Sequence, residues 1–341
     1  MRIIAGFLLA LIPAVATPAV GDDYFDSTQI RILVHAQELL FDDQFQAADS
    51  TLGDYCARFP NEPAGLLFRA SSLLAQMADR EENLYQPAFD SLIDRAQQIA
   101  KAKSEFGSPR QRAWMHLLCG HAYAYCSIFD SHFGSFTSAI KNGFDAKGEY
   151  QQALNADSTL LDIYAGLGSF HYWKSAKAGF LRWLGIFRND KAKGIAELKR
   201  AAEESLISGE AARNSLIWVY FDSRKFDSAE ALVRQAMTRY PEGKSFLWPL
   251  AQSFYDREQY QNAIEIYQEI RARIMAQPGN YYNFIECDYY IAICHDRLDE
   301  EAKAIEAARN LQEYYDAIPR QTRKRQQSKL GYLKRLASDD E

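Results

Sequence analysis

The sequence predicts an all-α fold in which roughly seven helical hairpins stack into an α-α superhelical solenoid. Three observations carry that expectation. Phe226-Asp227-Ser228-Ala229 is answered by Tyr260-Gln261-Asn262-Ala263 at a step of about 34 residues, so one pattern of side chains recurs in phase. Each copy reads as two short amphipathic helices rather than as alternating strands. Glycine (18) and proline (10) are sparse in 341 residues, which suits helices with short connections.

The elements follow in order. The first hairpin has Ala36 and Leu39 on one helix, then Phe45, Ala48 and Leu52 on the next, and Pro60 as a stop. Ala48 stands as far before Pro60 as Ala229 stands before Pro241. The second hairpin, over 64–105, is degenerate. The third carries Gly120 and Tyr123, then Ala146, Tyr150 and Ala153; the fourth carries Leu167-Gly168, then Leu198 and Ala201. The fifth and sixth, over 210–243 and 244–277, are the clearest: Leu216, Ile217 and Tyr220 answer to Leu250, Ala251 and Phe254. The seventh, over 280–315, is one residue short in its turn. Alanines mark close helix crossings, and Tyr220, Phe226, Phe254, Tyr260 and Tyr267 fill the space beside them. A single hairpin of this kind cannot cover its own apolar face, so the units must stack. In the Trp248-Pro249 pair, proline inside a helix would cost about 3 kcal/mol, so that helix is expected to start late, with Pro249 in its first turn.

These residues resemble the tetratricopeptide repeat, whose pattern asks for Leu-Gly, then Tyr, then Tyr/Phe-x-x-Ala, then Pro. The resemblance covers roughly residues 28–318. It implies that the first helix of each hairpin lines a concave side. Residues at the family's groove positions are Tyr172 and Trp173, then Asn214, Trp218, Phe221 and Asp222, then Trp248, Gln252, Tyr255 and Asp256. Rings beside amides suit the gripping of a peptide; the alternative is that several of these rings pack between repeats. Because Asp222 and Asp256 stand in the groove, an acidic C-terminal tail is a poor ligand for it.

Two departures from the pattern stand out. Gly120 and Gly168 are separated by more than one repeat length, and Ala146 and Gly194 by the same interval. In both units the step from the first-helix glycine to the second helix is roughly double that of the family, so an insertion stands at the same point in each. The insertions fall near 130–143, with Phe133 and Phe136, and near 178–191, with Phe180, Trp183, Leu184 and Phe187. They are expected to form a paired apolar protrusion for a partner or a membrane surface.

The chain's ends differ from its middle. Arg2, the apolar run Ile3–Ile12 and Ala14-Val15-Ala16 have the layout of a secretory signal peptide over 1–21, with an uncleaved anchor as the alternative. Export to the periplasm or beyond follows. The repeat domain would occupy 22–318. Residues 319–341 read as a basic helix (Arg320, Arg323, Lys324, Arg325, Lys329, Lys334, Arg335) and an acidic tail. That helix either caps the last repeat or meets an anionic surface or partner.

Signatures of catalysis are weak throughout. The net charge of −6 gives no support for nucleic-acid binding. Nucleotide loops, His-Glu-x-x-His and Gly-x-Ser-x-Gly are all missing from the sequence. His116, Cys119 and His121 are close in sequence, but His121 points away from the other two on a helix, so no metal site is expected. Asp22-Asp23 and Asp42-Asp43 read as helix-start charges. Five cysteines cannot all pair within the chain, and Cys119/Cys126 and Cys287/Cys294 lie roughly 10 Å apart along their helices, too far to bridge. Bridges between neighbouring helices stay open. The expected role is therefore an exported, non-enzymatic scaffold that holds a protein or peptide partner without a cofactor. The competing reading is a secreted carbohydrate-active enzyme on an (α/α) toroid, which would need two carboxylates facing one cavity; a peripheral membrane-associated repeat protein is a further option.

Overall fold

The computed structural model describes residues 24–177, 188–275 and 279–338. Among them there is no strand; sixteen α-helices and one 3-10 turn pack in chain order. The paired helices are α1 (Ser27–Phe41) with α2 (Phe45–Arg58), and α3 (Pro63–Arg80) with α4 (Gln86–Ser104). Next come α5 (Pro109–His132) with α6 (Phe136–Ala156), and α7 (Ile163–Lys177) with α8 (Lys191–Glu204). Then follow α9 (Gly209–Asp222) with α10 (Phe226–Arg239), α11 (Leu247–Asp256) with α12 (Tyr260–Met275), and α13 (Tyr281–Arg297) with α14 (Glu301–Tyr314). The 3-10 turn Tyr315–Ala317 leads to α15 (Arg320–Arg325) and α16 (Gln327–Ser338).

Local chemistry sets the boundaries. Asp26 caps α1 by accepting from the amides of Thr28 and Gln29, and Ser108 caps α5 in the same way for Gln111. Pro249 lies in the first turn of α11, where its missing N–H costs nothing. Pro60 and Pro241 each stand two residues past a helix end. Five of the hairpins share one turn. A residue with φ of 54–59° closes the first helix: Asp43, Glu81, Arg224, Glu258 and Asp299. The next amide then reaches back to a carbonyl five residues earlier, as in Gln44 to Leu39, Glu82 to Met77, Lys225 to Tyr220, Gln259 to Phe254 and Glu300 to His295. This is the Schellman closure, made here without glycine.

The small residues do what close crossing requires. Ala36, Ala48, Ala229, Ala251 and Ala263 are fully buried. A Cβ on Gly168 would stand 2.8 Å from the Gly194 carbonyl oxygen, and one on Gly194 would stand 2.6 Å from that of Gly168, so α7 and α8 cross backbone on backbone.

The odd-numbered helices from α1 to α11 touch one another in succession, while the even-numbered ones touch chiefly the helices before and after them. Two layers result. The buried apolar side chains form successive clusters along the chain rather than one central core. Late hairpins also return to the first two. α13 meets α3, with Asn280 and Asn283 donating to the Asp79 carbonyl. Phe41 of α1 sits 5.7 Å from Tyr240 and 6.0 Å from Phe246. The Asp42 and Asp43 carboxylates accept from the amides of Glu242 and Lys244, both at 2.9 Å. Asp42 and Asp43 therefore form the turn after α1 and bind far along the chain, instead of acting as the helix-start charges the sequence suggested. The row of hairpins closes on itself through these contacts.

Candidate functional site

The predicted groove residues come from α7, α9 and α11, three neighbours in the odd-numbered layer. Tyr172 is not available to a ligand. It is fully buried, and its hydroxyl donates to the Val219 carbonyl at 3.1 Å and to Asp222 Oδ2 at 2.6 Å. Burial and the carboxylate both push its phenol above the ordinary value. Tyr172 thus ties α7 to the end of α9, the packing role left open in the sequence.

Trp173 stands edge-on to Tyr172 at 5.3 Å, half-buried, with the Lys177 ammonium 5.5 Å from its ring. Trp218 is 41% exposed, the most open ring of the predicted set. One turn back, Asn214 is half-buried, and its Oδ1 is covered without a hydrogen-bond partner among the described residues. Phe221 is half-buried and lies 6.5 Å from Phe226. Asp222 also accepts from Lys191 Nζ at 3.1 Å. Partial burial alone would raise its carboxyl, but the hydrogen bonds from Tyr172 and Lys191 outweigh that and hold it low, so it is ionised at neutral pH.

On α11, Trp248 is half-buried and meets Tyr267 edge-on at 6.3 Å. Gln252 donates to Asp256 at 2.8 Å and accepts from Tyr267. Tyr255 lies edge-on to Tyr260 at 6.0 Å and to Tyr290 at 5.1 Å. The ring array then runs beyond the predicted residues. Tyr290 stacks on Tyr267 at 4.9 Å and meets Tyr289, which meets Tyr332 of α16. Lys329 sits 5.2 and 4.9 Å from Tyr289 and Tyr290 and pairs with Glu286. Tyr289 and Tyr290 were legible: they repeat Tyr255 and Asp256 at a step of about 34 residues, as those repeat Phe221 and Asp222. The last hairpin closes with the same turn as the others, at Asp299, and its crossing alanine is the buried Ala304, so the shortened turn expected from Ala302 is not what the fold shows. Its first helix is longer instead, 17 residues against 10 in α11, which sets Tyr289 farther from its turn than Tyr255 is from Glu258.

The insertion near 130–143 lengthens helices. α5 has 24 residues and α6 has 21, against 14 each in α9 and α10. Asn142 donates to Asp130 at 2.8 Å and Ser127 to the Ala139 carbonyl at 2.7 Å, which braces the added turns. Phe133 folds in against Phe129 at 5.3 Å. Phe136 faces outward, 75% exposed, and heads a stripe with Ile140 and Phe144 at helical spacing. Phe180, Trp183, Leu184 and Phe187 lie outside the described residues, as does the signal-peptide segment 1–21.

No group of three or more metal-binding side chains occurs among the described residues. His116 instead bonds Glu149 at 2.8 Å, and His121 bonds Tyr150 at 3.0 Å. All five cysteines are free thiols, and burial pushes Cys119 up to about 12 and Cys126 up to about 11. No described helix is long and apolar enough to cross a membrane. Compared with known protein families and with curated proteins, the chain matches none of them.

Proposed function

We propose that this chain is an exported tetratricopeptide-like solenoid that holds an extended segment of a protein partner along its odd-numbered helices. The observation that carries the reading is the strip through α9, α11 and α13. Phe221, Tyr255 and Tyr289 recur at a step of about 34 residues, each half-buried, with Trp218 open beside them. Rings held in place by their own packing lose little entropy when a ligand lies across them. Gln252, Asn214, Asp222 and Asp256 supply polar groups between the rings for backbone amides and basic side chains. The exposed stripe Phe136, Ile140 and Phe144 on the long α5–α6 hairpin is a second contact surface of the same scaffold.

The decisive experiment is affinity capture from the native envelope with the wild type and with Trp218→Ala/Tyr255→Ala. Loss of a specific partner with the far-UV helical signal intact supports the groove. Equal capture by both proteins removes it.

One observation favours a second reading. The return of α13 onto α3 brings late hairpins against early ones, as a toroidal carbohydrate-active enzyme would require. The carboxylates that meet there, Asp43 and Asp79, are both held by Lys244, a poor arrangement for acid–base work on a sugar. Release of reducing ends from a polysaccharide panel by the wild type, and not by Asp43→Asn or Asp79→Asn, would move the assignment to that class.

A further inference from the structure

The last helices build a feature that the ring strip does not use. The 3-10 turn, α15 and α16 surround an open cup of about 870 Å3. Arg320, Arg323, Lys324 and Lys334 line it together with Tyr315, Leu330 and Gly331. No acidic side chain is among the lining residues.

The cations are held, and they are not neutralised from within. Arg323 donates through Nε to the Ile318 carbonyl at 2.9 Å and through Nη2 to that of Asp316 at 3.0 Å. This fixes the guanidinium 4.7 Å over the Tyr315 ring. The Lys334 ammonium lies 3.7 Å from the same ring centre. The hydrogen bond and charge of Lys334, with the charge of Arg323, hold the Tyr315 phenol below its ordinary value, a sign of the local field. Arg320 and Lys324 are exposed and form no ion pair with a described carboxylate.

Four cations grouped in one concavity, with no carboxylate among its lining residues, set up a local positive field on a chain of net charge −6, and an anion would complete the group. The anion must be compact and must carry more than one negative charge and several acceptor oxygens. A phosphoryl group meets all three conditions, and guanidinium and ammonium groups are its usual partners. We propose that this cup binds a phosphoryl group, carried either by an anionic phospholipid headgroup or by a soluble phosphate ester. The site is separate from the ring strip and stands whether or not that strip holds a peptide.

The test uses the full mature chain and two probes: calorimetric titration with inorganic phosphate, and flotation with vesicles of phosphatidylglycerol in phosphatidylcholine. Arg320→Gln/Lys324→Gln/Lys334→Gln should weaken phosphate binding by about tenfold or more, as expected for loss of several charge-assisted contacts. Lys193→Gln/Lys303→Gln, which removes two exposed lysines elsewhere, should leave it unchanged. Flotation lost in the triple variant assigns the headgroup; phosphate binding without flotation assigns a soluble ester; both support the site. The proposal is overturned if neither probe binds, if the triple variant binds as the wild type does, if the control variant weakens binding equally, or if an oligoglutamate peptide binds as tightly as the phosphate probes.

Discussion

Lys244 Nζ lies 2.8 Å from Asp43 Oδ2, across 201 residues of chain, and 3.5 Å from Asp79 Oδ2. The lysine is 1% exposed. One cation therefore joins the turn after α1, the end of α3 and the link between α10 and α11. Removing it leaves two largely covered carboxylates, 11% and 15% exposed, facing each other without their cation. Lys244→Met should destabilise the fold by about 3–5 kcal/mol, the usual cost of breaking a buried pair from one side. Urea unfolding reads that loss. Small-angle scattering should show a larger radius of gyration with the helical signal kept, since the hairpins pack locally. Unchanged stability and radius would mean that the closure is held elsewhere.

A second clasp of the closure responds to acid. Glu81 meets His132 at 3.1 Å and accepts from Arg325, 244 residues away. Burial acts to raise its carboxyl, but the hydrogen bonds from His132 and Arg325 outweigh burial and hold it below the ordinary value of 4.5. A folded value below the unfolded one means stability that is present above pH 4.5 and lost as pH falls through the folded value. Glu81→Gln should cost about 1 kcal/mol at neutral pH, discounted for partial exposure, and should flatten the loss on acidification below that point. Denaturation midpoints of the two proteins from pH 3 to pH 7 check it; parallel curves would exclude Glu81 as the titrating group.

Asp162 does structural work that its sequence position does not announce. Its carboxylate is 1% exposed and accepts from the amides of Leu206, Ile207 and Ser208 at 3.0, 2.9 and 2.7 Å. It thereby fixes the chain between α8 and α9 onto the entry to α7. Asp162→Ala strands these donors and should cost about 3 kcal/mol, while Asp162→Asn, which keeps one acceptor oxygen, should cost less. Equal melting temperatures for alanine and asparagine would show that the three bonds are not what holds the segment.

The order of the hairpins was legible because it rests on side chains that recur: Ala229 and Ala263 are both fully buried at their crossings, and Pro249 opens α11 as expected. The role of Tyr172 was not, because sequence spacing locates a residue on a helix but not the neighbour that covers it. The closure was equally hidden, since Asp43 and Lys244 carry no periodic signal and meet only in the folded chain. The shared turn is hidden for a chemical reason: glycine marks such turns, and here Asp, Glu and Arg occupy them. At Glu258 the strain of φ 59° amounts to about 1–2 kcal/mol. Glu258→Gly relieves that strain and loses about 0.5–1 kcal/mol to unfolded-chain entropy. The net expectation is neutral to about 1 kcal/mol more stable, whereas Glu258→Val should be less stable than the wild type. A destabilised glycine variant would show that the glutamate side chain contributes more than the turn costs.

Gly168 and Gly148 offer opposite tests of what a methyl group does in these helices. Gly168 faces the Gly194 carbonyl and Leu198, and an added Cβ would sit 2.8 Å from both. Backbone cannot step aside, so Gly168→Ala should push α7 from α8 and cost about 1–3 kcal/mol, as overpacking does. Gly148 lies mid-helix in α6 with nothing within 4 Å of a built Cβ, so Gly148→Ala should gain about 1 kcal/mol from helix propensity alone. The displacement in the first variant also reaches the ring strip, because Tyr172 and Trp173 follow Gly168 by one turn on α7. Partner capture by Gly168→Ala should therefore fall at temperatures where its helical signal is still complete, while Gly148→Ala captures as the wild type does. If both substitutions proved neutral, the close crossing of α7 and α8 would not be the feature that sets the spacing of the odd-numbered helices.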